Sequence, residues 1–277
     1  MANKLHIAET PSTNTWLMAN GAEKPNLFTV YTFRQTAGRG QAGNAWESED
    51  GKNISMSVLV RVKSIAEAAR LNLLVPLAVV EGITKSGNHG IAEELTIKWP
   101  NDVYGGDRKV AGLLNENVII GSEVAYTVAG IGVNVNQEVF RSDAPNPVSL
   151  KQITGRTYEL EPMIDAIVEE LERLLPLLED YDALKQAYMA RLYRRTGLHP
   201  YVEREVSVAP TTIATATEVK GPQRSRSSGA KRRKERSKVK GAFLAEIADV
   251  DEFGRLVLRT ESGELKTYHF REIRYVL

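Results

Sequence analysis

The chain reads as an α+β protein in which a mixed β-sheet flanked by helices is followed by a smaller all-β unit. Three observations point there. Five short apolar or β-branched runs in the first half are each bounded by Gly, Pro or Asn, as strands are. Longer stretches with apolar residues at helical spacing lie between and after them. From Leu198 onward the texture changes to short alternating runs joined by turn-forming residues.

In chain order, the strand candidates are Phe28–Phe33, Ile54–Val60, Leu95–Trp99, Val110–Glu116 and Tyr126–Val135. Ser64 to Ser86 opens on a serine cap and repeats apolar residues at helical spacing, which predicts a helix packed under the sheet, with the helices on one side. "MIDAIVEELERLLPLLEDYDALKQAYMARLYRR" predicts two successive helices, interrupted near Pro176 and by the acidic "EDYD". The runs "GAFLAEIADV", "RLVLRT" and "ELKTYHFREIRYVL", joined by "DEFG" and "ESG", predict a small barrel or sandwich. The chain therefore divides into residues 1–195 and 196–277, with a basic insertion at about 204–240 expected to be disordered.

Composition narrows the chemistry. With 277 residues the chain can bury a real core. It has no cysteine, which excludes disulfides, thiolate nucleophiles and cysteine-ligated clusters and suits a reducing, cytoplasmic setting. His6, His89, His199 and His269 have no ligand spacing, so no zinc site is expected. The start lacks a leader pattern, and nowhere do about 18 apolar residues run uninterrupted, so no membrane association is expected. The net charge of +1 hides an asymmetry: Lys220 to Gly241 holds ten Lys/Arg and one acid, Glu235. The rest holds 26 basic and 34 acidic residues, a net −8. Such a segment can bind phosphate backbones nonspecifically or attract an acidic partner, but without interleaved aromatics it reads foremost as solvated chain.

Gly38, Gly40 and Gly43 are spaced as in a dinucleotide-binding loop and follow the apolar run Leu27–Phe33. That reading fails, because a loop and a strand follow where a helix N-terminus should hold the pyrophosphate. Arg39 between two glycines and Trp46 at the loop's end suggest an anion-binding loop instead, although a plain turn with an anchoring tryptophan is also open. In "IKWPNDVYGGDRKVAGLLNE" a strand ends at Trp99, Pro100 turns the chain, and Asn101 and Asp102 fall at the sheet's end, where ligands of open sheets collect. Lys109 is a lone cation opening an apolar strand, unless it is simply a solvated strand-end lysine. Gly130 and Gly132 mark a strand that something approaches closely.

Taken together, "STN" (Ser12–Asn14), "QTAGRGQAGNAW" (Gln35–Trp46), "GKNISMS", "KWPND", "DRKVAGLL" and "GIGVNVN" resemble the biotin protein ligases in order and spacing. The resemblance implies a class II synthetase-like biotin/lipoate ligase fold with a small C-terminal SH3-like β-barrel. It also implies ATP-dependent formation of biotinyl-5′-adenylate, followed by transfer of biotin to one lysine of a biotin carboxyl carrier protein. The expected cofactors are ATP and Mg²⁺, the latter held by the ATP phosphates and near Asp102.

By the same resemblance Lys109, Arg39 and Asp102 are the expected catalytic residues. Ser12, Thr13, Asn14 and Gln35 match the polar biotin contacts, with Gly38, Arg39, Gly40, Lys109, Gly112 and Gly130 completing that site. Arg39, Gln41, Trp46, Asn101, Asp102, Lys109 and Asn134 match the nucleotide side, with Trp46 stacked on or covering the adenine. Many members of the family carry GRGR where this chain has Gln41 in the fourth place. The missing charge predicts easier release of the adenylate. Lipoate ligases, which share the fold, and a biotin- or nucleic-acid-binding regulator are the alternatives. No sequence-specific DNA partner is expected, and a homodimer is allowed.

Overall fold

The computed structural model describes residues 3–86, 94–142, 144–204 and 239–276. Seven strands form a mixed sheet: β1 (Lys4–His6), β2 (Thr29–Thr32), β3 (Ile54–Val60), β4 (Leu95–Lys98), β5 (Asp102–Gly105), β6 (Arg108–Ile120) and β7 (Glu123–Val133). Their order is β1-β2-β3-β7-β6-β5-β4, with only β1 and β2 parallel. All five expected strands are present. The two unexpected ones, β1 and β5, have no run of three apolar or β-branched residues of the kind that marks the equally short β2 and β4.

Helix α2 (Ile65–Lys85) starts where expected, with the Ser64 hydroxyl accepting from the Glu67 amide at 3.1 Å. It packs against α4 (Leu160–Leu174), which follows the short α3 (Leu150–Thr154), and both bury one face of the sheet through Ile54, Met56, Val58, Ala129 and Ile131. A 3₁₀ turn at Leu175–Leu178, carrying Pro176, separates α4 from α5 (Tyr181–Ala190), as the proline predicted.

The helices are not all on one side. α1 (Thr13–Asn20) lies on the opposite face, where Leu17 meets Val30, Leu59, Tyr126 and Val128. Strand residues alternate between faces, so Leu59 and Val128 point away from Val58 and Ala129 and need their own cover.

Strands β8 (His199–Arg204), β9 (Val239–Val250), β10 (Leu256–Thr260), β11 (Leu265–Tyr268) and β12 (Ile273–Tyr275) form a second, antiparallel sheet in the order β11-β10-β9-β8-β12. Among the described residues it does not close: its edge strands β11 and β12 are joined by a four-residue turn but do not pair with each other. Tyr201, Leu256, Leu258 and Tyr275 share one continuous core with the large sheet. The Trp99 indole donates to the Gly254 carbonyl at 2.9 Å, and the Tyr181 hydroxyl to that of Val250 at 3.2 Å. His89 and nearly all of the basic segment lie outside the described residues, so the expectations about them do too. Among the described residues no helix is long and apolar enough to cross a membrane.

Candidate active site

Cross-strand register assembles the site. Thr32, Ser55, Gly132, Gly112, Asp102 and Lys98 are successive partners across six strands, and in the next row Val30, Ser57, Gly130 and Leu114 pair likewise. Both rows share the face that α1 covers further along, since paired residues project together. Where Leu59 and Val128 pack under α1, Ser55, Ser57 and three glycines replace them, and the sheet opens into a trough.

The N-terminus of α1 ends over that trough. The Ser12 hydroxyl caps the helix by accepting from the Thr15 amide at 3.3 Å, and Thr13 and Asn14 occupy its first turn. Gln35 accepts from the Thr13 amide at 3.0 Å. The Ser57 hydroxyl bonds Thr13 Oγ1 at 2.7 Å and Asn14 Oδ1 at 2.5 Å, while Asn14 Nδ2 donates to the Leu114 carbonyl and to Glu116. Gly130 is what allows Asn14 to lie there, because a Cβ at that position would fall 2.3 Å from Asn14 Oδ1.

The glycine loop is a tight hairpin. The Trp46 amide donates to the Gly38 carbonyl at 3.0 Å and the Gly40 amide to that of Asn44 at 2.7 Å, with a one-turn 3₁₀ segment at Gln41–Gly43. This lays the Trp46 indole flat on two glycines: a Cβ would come within 2.4 Å of it at Gly132 and 2.8 Å at Gly112. Lys109 Nζ stands over the ring, 5.6 Å from its centre, and pairs with Asp102 Oδ1 at 2.6 Å. Trp46 Nε1 and Ser55 Oγ are buried without a partner.

Arg39 lines the smaller cavity and is already paired there. Its guanidinium pairs with Glu116 at 2.5 Å, the same carboxylate that Asn14 contacts, so part of its charge is already answered. Asn101 is held by the Leu113 carbonyl beside Asp102, and Asn134 donates to the Lys109 carbonyl at 3.3 Å with its Oδ1 unpartnered.

Two cavities meet at Trp46. One, of about 600 Å³, is lined by Ser12, Thr13, Asn14, Gln35, Ser55 and Gly130. The other, of about 860 Å³, is lined by Lys98, Tyr104, Asn134, Phe140, Pro145 and Arg274. Trp46, Asp102 and Lys109 border both. Gln41 and Gly40 line the first, and Gly38 lies behind them against the Trp46 backbone. Glu47 fastens the loop: burial pushes its carboxyl up, but hydrogen bonds from Ser142, Arg141 and Gln137 outweigh this and hold it below the usual range.

The expected site residues therefore gather at the two cavities, Gly38 from behind. Those not anticipated are Ser55, Ser57 and Glu116, together with Arg204, Phe270 and Arg271, which border the smaller cavity from the C-terminal sheet. The hydroxyls at alternate positions of the otherwise apolar "ISMSV" were the available signal for the first two.

Fold and site together define a protein of the Biotin/lipoate A/B protein ligase family, whose model matches residues 7–134. The biotin--[acetyl-CoA-carboxylase] ligase of Paracoccus denitrificans is 30% identical over 68% of this chain and 80% of its own. The corresponding ligase of Mycobacterium tuberculosis is 32% identical over 67% and 69%. The chain belongs to the biotin protein ligases. It spans about half the length of several bifunctional ligase/repressor relatives it also matches. In fold it is similar to the biotin protein ligase from Aquifex aeolicus in complex with biotin and ATP, with a TM-score of 0.68 at 20% identity over all of both chains.

Proposed function

We propose that this protein activates biotin with ATP and passes the biotinyl group to a lysine of a biotin carboxyl carrier domain. The observation that carries the reading is the pair of cavities separated by Trp46 and joined at Lys109 and Asp102. The smaller takes the biotin bicycle between the sheet and α1, with Ser12, Thr13, Asn14 and Gln35 as polar contacts. The larger takes the nucleotide, with the adenine against Trp46 and Asn134 on the nucleotide side.

In the first step the biotin carboxylate attacks the α-phosphorus, and pyrophosphate leaves with the bridging oxygen. Both reactants are anions, so a cation between them is required. Lys109, common to both cavities, contacts the carboxylate and the α-phosphate and stabilises the added charge. The Arg39 guanidinium reinforces it, once Arg39 is shared between Glu116 and the ligand. In the second step the carrier lysine, as a neutral amine, attacks the acyl carbon and displaces AMP, with Asp102 orienting it and receiving its proton.

One carboxylate beside the phosphates fits Mg²⁺, which keeps most of its shell from phosphate and water; Asp102 would hold it beside Asn101. The ion supplies further charge neutralisation. Residues 1–195 carry this chemistry, and the C-terminal sheet is the counterpart of the small SH3-like barrel, closing the nucleotide side. ATP dependence and the absence of cysteine suit the cytoplasm.

Incubation with labelled biotin, Mg-ATP and a carrier domain should label the carrier and release one pyrophosphate per biotin. Labelling by lipoate but not biotin, or none, would overturn the reading.

A further inference from the structure

The glycine hairpin is fastened at its base and at one further point. At the base, the Thr36 amide donates to the Thr10 carbonyl at 3.1 Å and the Ala37 amide to that of Pro11 at 2.9 Å. On the returning leg Glu47 takes the amides of Arg141 and Ser142. Between these anchors, from Gly38 to Trp46, the contact of Arg39 with Glu116 is the only hydrogen bond or ion pair that leaves the hairpin among the described residues. Arg39, Gly40 and Gln41 line the smaller cavity, so the hairpin is one of its walls.

Register places Glu116. Gly112, Leu114 and Glu116 are alternate residues of β6 and project from the same face of the sheet. The first two line the smaller cavity. Glu116 pairs with Val128, which packs under α1, and so stands where the trough ends against that helix. One of its oxygens, Oε2, accepts from Asn14 Nδ2 at 2.9 Å and from Arg39 Nη2 at 2.5 Å. A single carboxylate oxygen therefore joins α1 to the hairpin.

The two partners are held differently. Asn14 is fixed, since Nδ2 also donates to the Leu114 carbonyl and Oδ1 accepts from Ser57. Arg39 makes one contact with one of its five N–H donors, so Glu116 orients the guanidinium and leaves most of it for a ligand. A ligand enclosed between sheet and hairpin leaves only when the hairpin lifts, and lifting breaks the contact of Arg39 with Glu116.

We infer that Glu116 is a positioning residue that latches the hairpin over the smaller cavity through Arg39, and so sets the residence time of biotin and of biotinyl-5′-adenylate. This rests on the function proposed above and gives Glu116 no part in the bond-making steps. Side-chain exposures of 44% for Arg39 and 22% for Glu116 put the pair near the surface, where ion pairs contribute modestly and weaken in salt. The expected effect is accordingly a few-fold.

The test measures the off-rates of labelled biotin and of preformed adenylate from wild type, Glu116→Gln and Glu116→Asp. Glu116→Gln keeps an acceptor for Asn14 and removes the charge that holds Arg39. It should raise both off-rates by about two- to fivefold at low salt, with the difference from wild type shrinking toward about 1 M salt. Single-turnover adenylation at saturating biotin and ATP should keep its wild-type rate, which a distorted site would not. Glu116→Asp keeps the charge on a shorter side chain and should fall between; it serves if the glutamine variant does not fold. In an Arg39→Gln background, Glu116→Gln should change neither off-rate further. Unchanged off-rates overturn the inference, as does an undiminished effect without Arg39. Slower off-rates also overturn it, by making Glu116 a competitor of the ligand for Arg39. Failure of wild type to bind biotin would instead sink the proposed function itself.

Discussion

Replacing Gly132 by alanine tests whether the indole of Trp46 must lie on the sheet floor for the two substrates to meet. The added methyl would sit 2.4 Å from Cε2 of Trp46 and 2.7 Å from Nε1. Ordinary carbon contact needs about 3.5 Å, so the ring must retreat by roughly 1 Å. The backbone of β7 cannot supply that movement, because Gly132 is paired with Ser55 on one side and Gly112 on the other. The ring can, because it hangs from a hairpin. Folding stability should therefore change little, while the partition between the cavities shifts by about the distance that costs roughly 10²-fold in rate at a reacting centre. That is about 3 kcal/mol in the barrier to adenylate formation. Biotin-dependent pyrophosphate exchange measures it directly, with thermal unfolding as the control. Trp46→Ala removes the partner, so Gly132→Ala should add little in that background, a non-additivity expected only of groups in contact. Wild-type exchange by Gly132→Ala, or full additivity with Trp46→Ala, would refute the reasoning.

Gly130→Ala should behave differently. Its methyl meets Asn14, which is fixed by Ser57, the Leu114 carbonyl and Glu116, so overpacking of about 1–3 kcal/mol should appear in thermal unfolding together with a raised KM for biotin. Lys109→Met should leave the fold intact and lower single-turnover adenylate formation by roughly 10²–10³-fold; near-normal turnover would remove Lys109 from the mechanism. Gln41→Arg, adding a cation beside the smaller cavity, should slow adenylate release, measured as the off-rate from preloaded enzyme; equal rates contradict that role. Because the folded pKa of Glu47 lies below 4.5, its stabilisation is complete above pH 4.5 and is lost as pH falls through the folded value. Glu47→Gln should thus be less stable than wild type at pH 7, with the difference shrinking below about pH 4 in denaturant titrations.

Much of the site was legible because its residues fall in contiguous strings. "KWPND" is the turn from β4 into β5 and "DRKVAGLL" opens β6, so the two strings bring neighbouring strands together, with Asp102 opposite Gly112. Ser12 to Asn14 were singled out as polar contacts, but their being the capped first turn of a helix was not anticipated, since α1 is only eight residues long and barely amphipathic. That short helix also explains why one-sided helices were expected: Leu17 is its one fully buried large apolar side chain, with Trp16 and Met18 half-buried beside it. The ion pair of Arg39 with Glu116 spans 77 positions and follows from strand register, which no local pattern encodes. The contributions of Arg204, Arg271 and Arg274 were hidden for the same reason. They reach the site only because two sheets share a core, and alternation within "REIRYV" shows which residues are exposed, not what they face.

The pairing of Arg204 with Val239 makes the two ends of the intervening 34 residues neighbours in one sheet. Whatever that stretch does, it enters and leaves through a single doorway, so chain connectivity does not require it. The same doorway is a natural splice point for a foreign domain, whose own lysines would then be tethered beside the cleft in which activated acyl groups form.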